Sequence, residues 1–256
     1  MNPVLTYYNL SDRVTAFSTT RQGGFSVGSY ANFNANAYCG DDAEHVACNR
    51  ELLRLKLRCS LLVIPHQVHG DGICVVDADY LRLTEAEQAA RTEGIDALLT
   101  NETGICIGVS TADCTPIIIY DPEHHAAAVA HAGWRGTVAR IAEKTVARMQ
   151  STYGSRSEQL HAVIGPCITV KNFEVGDEVY DAFASEGFPM SLIARREEKW
   201  HIDLPLCNEW LLTSMGVPDT QIHQTALCTY DQCDRYFSAR RLGIHSGRIY
   251  SGIVLR

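Results

Sequence analysis

Positive charge is scarce in this chain. Twenty-two Lys and Arg stand against 30 Asp and Glu, a net charge of −8. Proteins that track a nucleic-acid backbone carry a basic stripe. The nearest approach here is Arg195-Arg196, and Glu197-Glu198 follows at once. Small substrates are therefore favoured over DNA or RNA. Long apolar runs are missing as well, and none approaches the ~20 residues that span a bilayer. The start, Met1-Asn2-Pro3-Val4, has neither a basic n-region nor an apolar h-region, so no secretory signal is expected. No low-complexity tract, Pro/Ser/Gly linker or internal repeat is visible.

What is present is an ordinary globular mixture. Hydrophobic residues make up 46% and charged residues 20%, enough apolar material for a large core. One catalytic domain over residues 1–256 is the simplest organisation. Ten cysteines are scattered from Cys39 to Cys233. Without a secretory signal they are expected as reduced thiols in the cytoplasm, most of them small core residues.

Val14–Thr19 alternates like a strand and runs into the turn Arg21-Gln22-Gly23-Gly24. Asp41-x-x-Glu44 reads as a capping box opening a helix to about Leu57, with an inner stripe of Val46, Arg50, Leu53 and Leu57. Strands are predicted at Leu61–Pro65 and Gly72–Val76, and Thr84-x-x-Glu87 caps a short helix. The apolar runs Gly104–Ser110, Pro116–Tyr120 and Ala126–His131 are core strands. A helix with an apolar face of Val138, Ile141, Thr145 and Met149 follows Gly133. Further strands are expected at His161–Gly165, Thr225–Thr229, Tyr236–Ala239 and Ile249–Leu255, with helices at Phe173–Ala184 and Leu204–Met215. Strands and helices interleave without a regular βαβ beat, which predicts an α+β fold of mixed sheets with helices outside them.

Three residues sit where strand ends could hold side chains around a cleft. His69 follows the Leu61–Pro65 strand, Cys114 lies in the polar break Ser110–Pro116, and His131 ends the run Ala126–Ala130. Each taken alone also fits a buried core residue. Together they make a two-imidazole, one-thiolate zinc set with an open fourth position, the catalytic pattern. His124-His125 reads as a solvated turn, His66 as structural, and Cys228-x4-Cys233 as core plus loop. Three arginines are candidates for a phosphate: Arg50 on its helix stripe, Arg135 at a Gly-flanked helix start, and Arg240 in the pair Arg240-Arg241. A surface salt bridge or plain solvation is the alternative for each.

Taken in order, Phe17-Ser-Thr-Thr-Arg-Gln-Gly-Gly, Asn49-Arg50, Gln67-Val-His-Gly, Thr111-Ala-Asp-Cys-Thr-Pro-Ile, His131-Ala-Gly-Trp-Arg-Gly, Ile164-Gly-Pro-Cys-Ile, Phe173-Glu-Val-Gly, His201-Ile-Asp-Leu, Phe237-Ser-Ala-Arg-Arg and Gly247-Arg248 resemble one family over nearly the whole chain. It has been called multicopper polyphenol oxidase or laccase-like, peptidoglycan editing factor, and purine nucleoside phosphorylase. The resemblance implies an α/β/β/α sandwich similar to the catalytic domain of cytotoxic necrotizing factors. It implies zinc at His69, Cys114 and His131. It also implies phosphorolysis of adenosine, inosine and methylthioadenosine with some adenosine deamination. Asn36-Ala-Tyr-Cys departs from the more apolar, His-containing stretch expected there.

Four functions compete on these residues. A zinc enzyme on purine nucleosides leads. A copper oxidase shares the two-His, one-Cys equatorial set, but laccase-type trinuclear clusters resemble one another in His-x-His pairs, and ten histidines here contain none. A cysteine hydrolase would use Cys114 as nucleophile and His131 as base, as in editing of a peptidoglycan precursor. A metal-holding interaction module is the non-enzymatic alternative.

Overall fold

The computed structural model describes residues 1–256. In chain order, β1 (Leu5–Tyr8) and β2 (Val14–Thr19) lead to α1 (Ala43–Leu57), β3 (Leu61–Val63) and β4 (Ile73–Val75). Two short helices, α2 (Ala78–Leu81) and α3 (Glu85–Arg91), precede β5 (Ala97–Thr100), β6 (Ile105–Thr111), β7 (Thr115–Asp121) and β8 (Ala126–Ala132). Next come α4 (Trp134–Val138), α5 (Ile141–Tyr153), β9 (His161–Ile164), β10 (Glu174–Val175), α6 (Asp177–Ser185) and α7 (Met190–Ile193). The chain closes with β11 (Ala194–Arg196), β12 (Trp200–Ile202), α8 (Leu204–Ser214), β13 (Ile222–Gln224), α9 (Ala239–Leu242) and β14 (Ile249–Leu255).

One large sheet has the order β1-β2-β14-β6-β3 and the other β13-β9-β7-β8-β5-β4; β10, β12 and β11 form a small third sheet. Both large sheets are mixed. β3 runs parallel to β6 while β14 is antiparallel to β2 and β6. β4 is parallel to β5 and β13 to β9, with antiparallel pairs between them. The class is α+β with mixed sheets, as expected.

Side-chain alternation sorts the core into layers. Ile105, Ile107, Val109 and Ile253 of the first sheet meet Ile118, Tyr120, Val129 and Val163 of the second. On the far face of the second sheet, Ala126, Ala128, Ala130 and Ala132 form a row of small residues under Ile141, Val146 and Met149 of α5. On the far face of the first, Phe17, Cys106 and Tyr250 pack beneath Leu53 and Leu57 of α1. Fully burying one such aliphatic side chain is worth about 1.5–3 kcal/mol, so these three seams fix where the strand ends lie.

Several expected elements shift for local reasons. Asp42, not Asp41, caps α1 and accepts from the Glu44 and His45 N–H groups. The Asp41 carboxylate instead accepts from Ser26 Oγ and Asn34 Nδ2. The helix after Gly133 breaks into α4 and α5 because Arg140 turns left-handed, at φ 61°. Phe173 and Glu174 are not helical: Glu174–Val175 pairs with β12, and α6 begins only after Gly176. Thr225–Thr229 and Tyr236–Ala239 are not strands. Their neighbourhood supplies β13, which ends immediately before Thr225, an isolated Cys167–Cys228 bridge, and Ser238 as the cap of α9.

Candidate metal centre

The two sheets converge at one end on the loops after β3 and β6 and the end of β8. His131 is odd-numbered on β8, so it shares the inter-sheet face with Ala127 and Val129 rather than the face under α5. Cys114 sits in the short loop from β6 to β7, and His69 in the loop from β3 to β4. The structure brings these three together: one donor atom from each lies within 4.8 Å of the other two. His131 is buried, Cys114 partly so, and His69 exposed. The two imidazoles meet edge-on, with centroids 4.7 Å apart.

Asp96, just before β5, organises this cluster, and sequence reasoning missed it. It is fully buried. His131 Nδ1–H donates to its Oδ1 at 2.7 Å, and so does the His69 backbone N–H at 3.1 Å. The Val68 and Gly70 N–H groups donate to Oδ2 at 3.2 and 2.8 Å. One carboxylate therefore folds the 68–70 loop, where His69 is left-handed at φ 61°, and orients the His131 ring. With Nδ1–H committed to Asp96, His131 turns its Nε2 toward Cys114 and His69. A polar residue heading the apolar run Ala97–Thr100 was the signal that could have found it.

The electrostatics follow from this crowding. Burial would raise the Asp96 carboxyl, but His131 and the loop N–H groups outweigh it and hold the carboxyl below its usual range. Burial also opposes charge on Cys114, yet His131 and His69 pull the thiol down to about 6. Against its own burial, the Cys114 thiolate and Asp96 push His131 up to about 9. Cys114 is thus poised as a thiolate, the form that binds metals and attacks electrophiles.

The surroundings hold Cys114 from two sides. Asp113 has φ 90°, a conformation that costs a non-glycine residue about 1–3 kcal/mol. Thr229 Oγ1 and the Arg240 N–H, each 2.7 Å away, secure its carboxylate, while the Ile168 N–H donates to its carbonyl. On the other side stands Gly133, where a Cβ would lie 3.0 Å from both Cys114 Sγ and His69 Cδ2. Any larger residue would press on two members of the cluster at once.

These residues fit a zinc ion. Tetrahedral zinc, with Zn–S of about 2.3 Å and Zn–N of about 2.0–2.1 Å, holds its ligand atoms about 3.3–3.6 Å apart, a spacing that small side-chain movements reach here. The same two-imidazole, one-thiolate set is also the equatorial set of a blue-copper site; no Met lines the cavity, and the Gln67 amide there is held at both ends by the Ser110 backbone, at 2.9 and 2.7 Å.

The cluster opens into a cavity of about 310 Å³. Tyr38 and His66 stack at its edge, 4.2 Å apart and 23° from parallel. Arg248 lines it, and no Asp or Glu does. None of the three arginines expected to meet a phosphate is in its wall. Arg50 is half-buried, bonded by Nε to the Ala35 carbonyl at 2.8 Å, with Nη2 buried and unpartnered. Arg135 is exposed and stacks over its neighbour Trp134. Arg240 is also exposed, and its guanidinium turns to the Asn172 and Glu174 carbonyls.

Residues 15–256 match the family described as multi-copper polyphenol oxidoreductase laccase. A purine nucleoside phosphorylase of Bacteroides thetaiotaomicron is 45% identical, over 98% of this chain and 96% of that one. Adenosine deaminase RL5, from an unknown prokaryotic organism, is 43% identical over 94% and 93%. The crystal structure of the Bacillus licheniformis hypothetical protein YfiH superimposes with a TM-score of 0.92 at 30% identity, covering 99% of this chain and 97% of that one. The chain belongs to the multi-copper polyphenol oxidoreductase laccase family.

Proposed function

We propose that this chain, as one catalytic domain over residues 1–256, is a zinc-dependent purine nucleoside enzyme. In phosphorolysis the N-glycosidic bond breaks, a phosphate oxygen bonds to C1′, and the base leaves with a proton, giving ribose 1-phosphate. Adenosine, inosine and methylthioadenosine are the substrates the family resemblance implies. In adenosine deamination, water replaces the 6-amino group and ammonia leaves. The observation that carries the reading is the His69–Cys114–His131 cluster opening into a carboxylate-free cavity beside the Tyr38–His66 stack. The names of the two relatives support it. Ten free thiols fit a reducing compartment, and we assign the enzyme to the cytoplasm. No helix is long and apolar enough to cross a membrane.

His69, Cys114 and His131 would hold the metal, which when bound supplies Lewis acidity at the cavity floor. The protein's own residues do the rest. Asp96 holds the His131 proton at Nδ1, so the opposite ring nitrogen stays available. Asp113 and Gly133 keep Cys114 in place from either side. Arg50, bonded to the carbonyl of Ala35 next to the wall residue Asn36, would add positive potential for phosphate, while Arg135 and Arg240 are exposed and outside the wall.

Metal analysis of purified protein, run with nucleoside turnover in the presence and absence of phosphate, tests this reading. About one zinc per chain and phosphate-dependent base release are expected. Stoichiometric copper with oxygen uptake on phenols, or no turnover of any nucleoside, would overturn it. One observation favours a second reading: Cys114, His131 and Asp96 follow one another as nucleophile, base and orienting carboxylate. That order suits a cysteine hydrolase, and with it the expected likeness to the necrotizing-factor domain. Retention of hydrolytic activity after complete metal removal would select it.

A further inference from the structure

The cavity wall offers few free side-chain acceptors. No Asp or Glu lines it. The oxygen of each wall amide is taken: Gln67 Oε1 accepts from the Ser110 N–H and Asn36 Oδ1 from the Tyr38 N–H, each at 2.7 Å. Outside the metal cluster, the ring nitrogen left on the wall belongs to His66. The sequence pattern reads His66 as structural, but the fold puts its side chain against the cavity.

His66 is pinned from behind. It lies in the loop from β3 to β4 and forms an isolated parallel bridge with Glu93, between α3 and β5. Its N–H donates to the Thr92 carbonyl at 3.0 Å, and its own carbonyl accepts from the Gly94 N–H at 2.9 Å. The Glu93 side chain, outside the cavity wall, places Oε1 2.6 Å from His66 Nδ1. An ionised carboxylate can only accept, so Nδ1 carries the proton. The Glu93 bond is the one hydrogen bond that the His66 ring makes within the chain. On the neutral ring, Nε2 is therefore a free lone pair.

Tyr38 fixes the plane of that lone pair. Its ring covers one face of the imidazole, with centroids 4.2 Å apart and planes 23° from parallel. A ligand reaches Nε2 along the edge of the imidazole, in the plane of the ring. The 6-amino group of a purine carries its N–H bonds in the plane of the base and suits such an approach. A 6-oxo group turns an oxygen lone pair toward the same nitrogen, so acceptor faces acceptor.

We propose that His66, in the tautomer set by Glu93, accepts a 6-amino N–H of the purine and selects adenine nucleosides over 6-oxo nucleosides. Glu93 is a positioning residue that acts through the imidazole. The role of both rests on the nucleoside-enzyme reading above. Both side chains are partly exposed, so water competes for the contact. The selectivity is accordingly about tenfold, far below the roughly 10⁴-fold that a fully buried polar site can reach.

Zinc-loaded protein is assayed at about pH 8.5, above the ordinary histidine value of about 6.5, to keep the ring neutral. With phosphate present, adenine release from adenosine and hypoxanthine release from inosine give a ratio of kcat/KM values of about ten. His66→Phe keeps a flat ring against Tyr38 but removes the acceptor, and the ratio should fall about fivefold or more. Glu93→Gln alters an exposed side chain whose amide can donate to Nδ1 and so release the other tautomer. There the ratio should fall about threefold, with the melting temperature unchanged. Nitrogen-15 NMR of labelled histidine reads the contact without turnover: His66 Nε2 should be unprotonated, and adenosine should shift it while inosine should not. A wild-type ratio near one, or an unchanged ratio in both variants, would overturn the proposal. So would equal losses on both nucleosides, which would put His66 on the ribose they share, or a protonated Nε2 in the free protein. An adenosine-specific shift without base release would preserve the contact and sink the enzyme reading. Base release from both nucleosides with no shift of Nε2 would do the reverse.

Discussion

Replacing Asp96 by Asn probes the organisation of the centre without touching a metal donor. The native carboxylate accepts four hydrogen bonds, two on each oxygen. Asparagine keeps one oxygen and turns an NH2 donor toward two of the four N–H groups. Two hydrogen bonds to a charged acceptor are lost whichever way the amide sits. At about 1.5–3 kcal/mol each, the loss is about 3–6 kcal/mol. That is a large share of a total stability of about 5–15 kcal/mol. For a chain of this length it corresponds to a melting temperature lower by about 6–24 °C. The variant should still fold, because the inter-sheet seam lies outside the 68–70 loop. Zinc affinity should fall about 10–100-fold, since a ligating histidine loses the group that sets its tautomer and ring angle. Chelator competition measures the affinity and calorimetry of metal-free protein the melting point. A variant that binds zinc within threefold of wild type and melts within about 2 °C of it would refute the argument that Asp96 builds the site.

Cys114→Ser should lose zinc and nearly all activity while circular dichroism stays native, because a serine hydroxyl is hard to deprotonate and two imidazoles hold zinc poorly; full zinc occupancy in that variant would sink the metal reading. Gly133→Ala places a methyl group 3.0 Å from Cys114 Sγ and His69 Cδ2, so zinc affinity should drop by about tenfold or more, with unchanged affinity counting against a tightly packed centre. Far from the site, burial tends to raise Asp121, but the His124 and Glu123 N–H groups and the His124 ring, 2.9 Å away, hold it below its usual range. A depressed carboxyl stabilises the fold above its unfolded value of about pH 3.9, and that contribution disappears as pH falls through the lower folded value. Asp121→Asn should therefore melt lower at neutral pH and lose less on acidification below about pH 4; parallel pH profiles of the two proteins would contradict this.

Much of the framework is local, and local rules read it. The runs Ala126–Ala130 and Ile117–Tyr120 are buried on both faces, so they appear as continuous apolar strands in any environment. Asp203 and Pro205 open α8 where the sequence puts them, because a cap and a first-turn proline act on their own backbone. His69, Cys114 and His131 were legible as candidates because each stands at a polar break beside such a strand. Their convergence was not legible, since it depends on two loops and a strand end, 17 to 62 residues apart, meeting at one end of two packed sheets. Phe173–Ala184 failed as one helix because pairing of Val175 with Trp200 is a long-range choice that overrides local propensity.

The charged residues divide most sharply between sequence and structure. An arginine on a helix stripe or after a Gly-Trp pair carries no mark of what its guanidinium will meet. Arg50 is spent largely on the Ala35 carbonyl, Arg135 lies on Trp134, and Arg240 turns to a neighbouring loop, while Arg248 reaches the cavity. Asp96 likewise looks like any acidic residue ahead of a strand until four N–H groups from residues 68–70 and 131 close on it. The sequence by itself determined the layered α+β framework, the metal-donor types and the family, because these rest on periodicity, capping and residue chemistry. Only the tertiary structure decided which candidate donors meet, which carboxylate orients them and which arginine lines the cavity. Those outcomes depend on contacts between segments far apart in the chain, and no local pattern encodes them.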